Sequence, residues 1–200
     1  MSRYIFLFDL DFIITRQEIL LTVAGKEGLR EQLNALIESS MRGEIPFKQG
    51  FLQRVELLKQ IPVSEIQSVV AEIALNEKLV DFIRANKNRS CIVTENLDVW
   101  IEALIAKLDV EKNVFCSKAV QCGDYVKDVF NIVDKNAVIR QMILPFVAVG
   151  NGNNDAGMVE AAEVGIGYGS VRPVASSVLA CATHVVYEED RLVDFLNKLV

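Results

Sequence analysis

Five short apolar runs, each closed by polar or turn-forming residues, constrain this chain more than any other feature. Tyr4–Phe8, Ser90–Thr94, Phe146–Val149, Val164–Tyr168 and His184–Tyr187 are continuous rather than alternating in hydrophobicity. That is the pattern of strands buried on both faces of a parallel sheet. Helical periodicity falls between them, at Leu97–Leu108, Asn136–Leu144, Asp155–Glu163, Val174–Cys181 and Leu192–Leu199. Strand alternating with helix predicts an α/β fold, a doubly wound parallel sheet. In such sheets ligands bind beyond the carboxyl ends of the strands. Asp9, Asp11, Thr94, Asn96, Asn151 and Asp155 all fall at such ends, after three different strands.

Residues 16–76 break the alternation and read as helices only: Arg16–Ala24, Glu27–Met41, Lys48–Gln60 and Ser64–Leu75. The last opens with Ser64-Glu65-Ile66-Gln67, which predicts a capping box. The expected organisation is a core of residues 1–15 and 77–200, with a helical cap over 16–76 placed as a lid on the first strand's carboxyl end. Phe115–Phe130, centred on Cys122-Gly123-Asp124, reads as a hairpin.

A net charge of −6 argues against nucleic acid or an anionic membrane as partner, but not against a small phosphorylated metabolite, because local potential can oppose the global sign. The four cysteines show no CxxC pair, and with His184 as the one histidine a zinc site is not expected. The first apolar run is broken by Asp9 and Asp11, unlike a signal peptide. No segment approaches the roughly 20 apolar residues of a membrane helix, so a cytoplasmic protein is expected. Oligomeric state is left open.

Three constellations carry chemistry. Asp9 and Asp11 either begin a solvated loop or form a carboxylate pair whose repulsion a cation offsets. Gly150-Asn151-Gly152-Asn153-Asn154-Asp155 either is an ordinary Gly/Asn turn before a helix or gathers hard oxygens suited to magnesium. Thr94 and Asn96 either cap the helix after them or build an anion site at its start.

Taken in order, the aspartate pair after strand one, the threonine after a middle strand and the late G-[D/N]-G-x-N-D loop resemble the haloacid dehalogenase superfamily. The helical cap segment "SSMRGEIPFKQGFLQRVELLKQIP" is similar to that of its phosphoserine-phosphatase-like branch. The resemblance implies hydrolysis of a small phosphomonoester through an aspartyl-phosphate. Asp9 would be the nucleophile and Asp11 the general acid and base. Thr94, the amides from Glu95 onward, and a lysine would hold phosphate. Glu18 and Arg54 would grip a charged substrate between apolar walls at Met41 and Phe47. Magnesium would be held by Asp9, the Asp11 carbonyl and the late loop, Asn151 and Asp155.

The chain departs from the branch in four places. Phe12 and Ile13 stand where a small residue and a hydroxyl are usual. Asn151 stands where an aspartate ligates magnesium, so bound magnesium is expected to be weak. Glu95 replaces glycine, and its carboxylate either faces the phosphate and repels it or points outward harmlessly. Aligning Asn136-Ala137 with the branch puts Val138 at the lysine position. Lys135, one turn back, either reaches inward to substitute or stays solvated. The expected function is therefore a magnesium-dependent phosphatase with reduced or specialised activity, or alternatively a catalytically impaired binding or regulatory protein. Carbon–halogen cleavage on Asp9 is a third reading.

Overall fold

A computed structural model describes residues 3–41, 44–110 and 112–200. Among the described residues seven strands form one sheet: β1 (Ile5–Phe8), β2 (Ser90–Leu97), β3 (Val114–Cys122), β4 (Tyr125–Asn131), β5 (Phe146–Gly150), β6 (Val164–Tyr168) and β7 (His184–Val186). They lie in the order β4-β3-β2-β1-β5-β6-β7, and all run parallel except β4, which returns antiparallel to β3 through Gly123. The fold class is α/β, as the apolar runs predicted.

The central strand shows why these runs form a sheet. Phe6, Leu7 and Phe8 are all fully buried. Phe6 and Phe8 face one layer, meeting Phe82 edge-on at 5.2 and 6.4 Å. Leu7 faces the other, with Val93, Val138, Ala148 and Met158. Burial of each such side chain stabilises by about 1.5–3 kcal/mol, and a strand with both faces covered has no solvated face to offer. Because β2 and β5 flank β1, the order of connection reverses at β1, and the crevice of an open α/β sheet opens there.

Between β1 and β2 the chain is helical: α1 (Ile19–Lys26), α2 (Arg30–Met41), α3 (Phe47–Leu58), α4 (Val63–Ala71) and α5 (Glu77–Ala85). It enters and leaves the α1–α4 block through one neck. Arg16 N donates to Ala74 O at 2.8 Å and Asn76 N to Ile14 O at 2.9 Å, while the Asn76 side chain donates to Ile13 O at 2.7 Å. Later come α6 (Asp98–Leu108), α7 (Lys135–Ile139), a 3-10 turn (Asn153–Asp155), α8 (Ala156–Ala161), α9 (Ser176–Leu179) and α10 (Glu189–Asn197). No helix among the described residues is long and apolar enough to cross a membrane.

Several boundaries differ from the sequence pattern for local reasons. The segment expected as one helix from Glu27 starts only at Arg30, because Gly28 adopts a left-handed φ of 70°. The capping box at Ser64 does not form. Pro62 precedes α4 without a side-chain cap, and Ser64 instead donates its N–H and hydroxyl to Asp124 on the β3–β4 turn, at 3.0 and 2.5 Å. Most consequential for the site, β2 continues through Leu97 rather than ending at Thr94.

Candidate active site

Asp9 is the first residue beyond β1, held in line by its N–H donating to Val149 O at 3.1 Å. The chain then turns sharply, with Ile14 and Thr15 both donating to Leu10 O at 3.0 Å. Phe12 takes a left-handed φ of 61° in this turn, uncommon for an aromatic residue. Its N–H donates to Thr15 Oγ1 at 3.3 Å. The hydroxyl absent at Ile13 is thus supplied from two residues later, and Ile13 is free to be fully buried. Asp11 is fixed from two sides: Oδ1 accepts Ile19 N–H at 2.8 Å at the start of α1, and Oδ2 accepts Asn96 Nδ2 at 2.7 Å from β2.

Lys135 reaches inward. Its ammonium lies 2.6 Å from Asp9 Oδ1, 2.7 Å from Asp155 Oδ1 and 3.4 Å from Glu95 Oε2, and the residue is 4% exposed. The alternative of a solvated helix-start lysine is overturned. Asp134 caps α7 by accepting Asn136 N–H at 2.9 Å, which sets Lys135 on the turn facing β1. Val138, the alignment position of the lysine, is buried in the apolar cluster around Leu7. The cation enters from the turn before it. Burial pulls the Lys135 ammonium down, but Asp155, Asp9 and Glu95 outweigh burial and hold it well above the ordinary lysine value. Burial and then the neighbouring Asp155 push the Asp9 carboxyl up, with Lys135 pulling against them.

The late loop is built around Asp155. Its Oδ2 accepts the N–H groups of Asn151 and Gly152, both at 2.8 Å, while Oδ1 takes Lys135. A Cβ on Gly150 would stand 2.5 Å from Asp155 Cβ, so that glycine is a steric requirement. Asp155 therefore organises the loop and the lysine rather than presenting a free oxygen.

At the end of β2 the pairing with β3 shifts register between Val93 and Leu97. Thr94 is fully buried and its Oγ1 accepts from Asn96 N and Nδ2, at 3.3 and 3.0 Å. Glu95 and Asn96 line the cleft. Glu95 faces inward, taking Asn154 Nδ2 at 2.9 and 3.1 Å besides Lys135. Asn96, read from sequence as a cap or helix-start residue, instead links Thr94 to Asp11. Its spacing from Thr94 in an extended strand was the signal for this.

The cleft has a volume of about 1370 Å³, so the bulk of Phe12 on its wall does not close it. Its wall toward α1–α4 carries Glu18, Arg54 and Arg172. Glu18 caps α1 by accepting Leu21 N–H. Burial first, then the Asp11 charge, push its carboxyl up to about 8 despite that bond and the two arginines. Arg54 donates to Gly50 O at 3.2 Å and sits 5.8 Å from the Phe51 ring. Burial lowers the pKa of its guanidinium. Arg172, which the sequence reading missed, stacks 5.3 Å from the Phe12 ring. It belongs to an irregular loop after β6, where no periodicity marks a side chain as inward. The side chains of Met41 and Phe47 lie outside the described residues.

The donor set fits magnesium poorly. Asp155 has spent its oxygens, Asn151 is neutral and its buried Nδ2 has no hydrogen-bond partner, and the charge between Asp9 and Asp155 is already the Lys135 ammonium. Among the described residues no group of three or more His, Cys, Asp or Glu is placed to hold a metal ion. What the arrangement offers is one buried carboxylate paired to a fixed ammonium, a second carboxylate two residues on, and a charged wall opposite.

No family model matches the chain. Curated relatives do. A phosphoserine phosphatase of Idiomarina loihiensis is 28% identical over 191 residues, covering 88% of this chain and 86% of that protein. One of Methanocaldococcus jannaschii is 26% identical over 181 residues, covering 84% and 86%. Against the phosphoserine phosphatase of Archaeoglobus fulgidus, also 26% identical, the match covers 84% of this chain but about half, 53%, of the relative. Among solved structures, a substrate-bound phosphoserine phosphatase complex matches with a TM-score of 0.81 at 22% identity over 99% of both chains. A phospho-aspartyl intermediate analogue of phosphoserine phosphatase matches at 0.79 and 23%, again over 99% of both.

Proposed function

We propose that the chain is a phosphoserine-phosphatase-like protein of the haloacid dehalogenase superfamily, and that it hydrolyses a small phosphomonoester through an aspartyl-phosphate on Asp9. The observation that carries this reading is the buried Asp9–Lys135–Asp155 cluster, at 2.6 and 2.7 Å. A nucleophilic carboxylate must meet a phosphoryl group that is itself anionic, and a fixed ammonium beside it offsets the repulsion without solvent rearrangement.

The Asp9 oxygen attacks phosphorus as the ester P–O bond breaks, and Asp11 delivers its proton to the departing alkoxide. Water then attacks phosphorus, Asp11 takes the water's proton, and the bond to Asp9 breaks to release phosphate. Burial raises the Asp11 carboxyl, while the Ile19 and Asn96 hydrogen bonds and Lys135 restrain the rise. That balance suits a group which must both give and take a proton. Thr94, buried behind the cleft wall, acts through Asn96.

Residues 16–76 serve as the cap over a core of 1–15 and 77–200. Glu18 and Arg54 on its inner side suit a substrate carrying an ammonium and a carboxylate, a phosphorylated amino acid such as phosphoserine. Magnesium, if bound, would be held weakly by Asp9, the Asp11 carbonyl and the Asn151 amide and would supply further positive charge beside the phosphate, and none of these steps is routed through it.

Phosphate release from a panel of small phosphomonoesters, with excess magnesium, tests the reading. Wild type releases phosphate and Asp9→Asn does not; equal silence of both overturns it. A second reading, a binding protein that keeps the fold without turnover, is favoured by the neutral Asn151 and by the inward carboxylate of Glu95. Wild-type release from any member of the panel rejects that second reading.

A further inference from the structure

We infer that Glu95 is an internal anion filling the phosphate subsite, so that a phosphomonoester binds by displacing its carboxylate; this rests on the phosphatase reading for the identity of the subsite. The geometry is local and specific. Both Glu95 oxygens accept from Asn154 Nδ2, at 3.1 and 2.9 Å. Oε2 also lies 3.4 Å from Lys135 Nζ, the same nitrogen that touches Asp9 at 2.6 Å. The carboxylate therefore sits one ammonium away from the nucleophile, where a transferable phosphoryl group has to be placed.

Carboxylate and phosphate oxygens ask for the same charge-assisted donors, and Lys135 Nζ is such a donor, shared by Glu95 and Asp9. Glu95 keeps 16% of its side chain exposed, unlike Lys135, Asp9 and Asp155 beneath it, so it has a route outward that they lack. A phosphate dianion arriving while Glu95 stays in place meets Asp9, Asp11 and Glu95 together, with Lys135 already shared among three carboxylates.

The consequence is selectivity. Inorganic phosphate has nothing beyond the subsite with which to displace Glu95. A phosphomonoester that also bears charged groups for Glu18, Arg54 and Arg172 brings further contacts to offset the displacement. The site thus favours a substrate with several charged groups over its own phosphate product.

Calorimetric titration of inorganic phosphate into wild type, Glu95→Gln and Glu95→Ala tests this without requiring turnover. The two variants separate loss of charge from loss of the side chain. Phosphate affinity rises about tenfold or more in both, as removal of a competing charge from a shared donor set requires. Affinity in both variants equal to or weaker than wild type, including no binding by any of the three, overturns the inference. The phosphatase reading is judged separately by the Asp9→Asn comparison. If no ester is cleaved while the variants gain affinity, Glu95 still guards an anion site and only the activity is lost. If esters are cleaved without a gain, the activity stands and the role of Glu95 falls.

Discussion

Replacing Lys135 by Met leaves Asp9, Asp155 and Glu95 around a buried apolar side chain. Each close contact, at 2.6 and 2.7 Å, is worth about 6 kcal/mol of gross attraction at an effective dielectric near 20. Desolvation of all the partners cancels most of that gain. Removing one member of a buried pair instead exposes the uncompensated cost, typically about 3–5 kcal/mol. For a chain of this size that corresponds to a fall in melting temperature of roughly 10 °C. Urea denaturation followed by circular dichroism measures the loss directly. The same experiment on the double variant Lys135→Met/Asp155→Asn is more discriminating, because it removes one stranded carboxylate along with the ammonium. The double variant loses clearly less than the sum of the two single losses, as expected for residues in one network. A single-variant loss under about 1 kcal/mol, the range of surface substitutions, or strict additivity, refutes the buried-cluster account.

Four further outcomes follow from the same geometry. Because the Glu18 carboxyl is pushed up to about 8, it holds its proton below that pH and grips an ammonium above it. Affinity for O-phosphoserine, measured by calorimetry, therefore rises with pH through about 8, and Glu18→Gln flattens the rise; a flat wild-type profile contradicts the shift. The same shift makes the native state lose stability as pH rises from the ordinary value of 4.5 towards about 8, and Glu18→Gln removes that decline in denaturant titrations. Asn151→Asp adds the missing charge to the magnesium shell and tightens magnesium binding about tenfold or more; unchanged affinity means charge was not the deficit. Asn96→Ala takes one donor from the Asp11 carboxylate and lowers kcat by about 10- to 100-fold with little change in KM, the range for a hydrogen bond to a charged group; an effect confined to KM places Asn96 in substrate binding instead.

Much of the scaffold was legible because burial on two faces leaves a direct mark. Phe6, Leu7 and Phe8 had no polar neighbour to alternate with, so β1 announced itself, and Asp9 had to follow it. Lys135 was legible as a candidate but its direction was not, since anchoring an alignment on Asn136-Ala137 puts Val138 at the lysine position. Only packing of Val138 against Leu7 and Val93 decides which residue faces the carboxylates. The direction of Glu95 depended on where β2 ends. A strand stopping at Thr94 leaves Glu95 in a loop free to point outward, whereas β2 runs on to Leu97 through a register shift against β3 that no periodicity in the sequence marks. The Ser64 capping box had the right residues, yet Asp124 on a distant hairpin competed for the same N–H and hydroxyl. Arg172 met Phe12 through a loop, where neither period nor propensity speaks.

The central claim is that Asp9 becomes covalently phosphorylated, and the direct measurement is acid quenching of the wild-type protein during turnover of O-phosphoserine, followed by peptide mass spectrometry. A phosphate adduct on the Asp9 peptide, absent in Asp9→Asn, is the result expected. Phosphate release with no adduct on Asp9 at any quench time contradicts it.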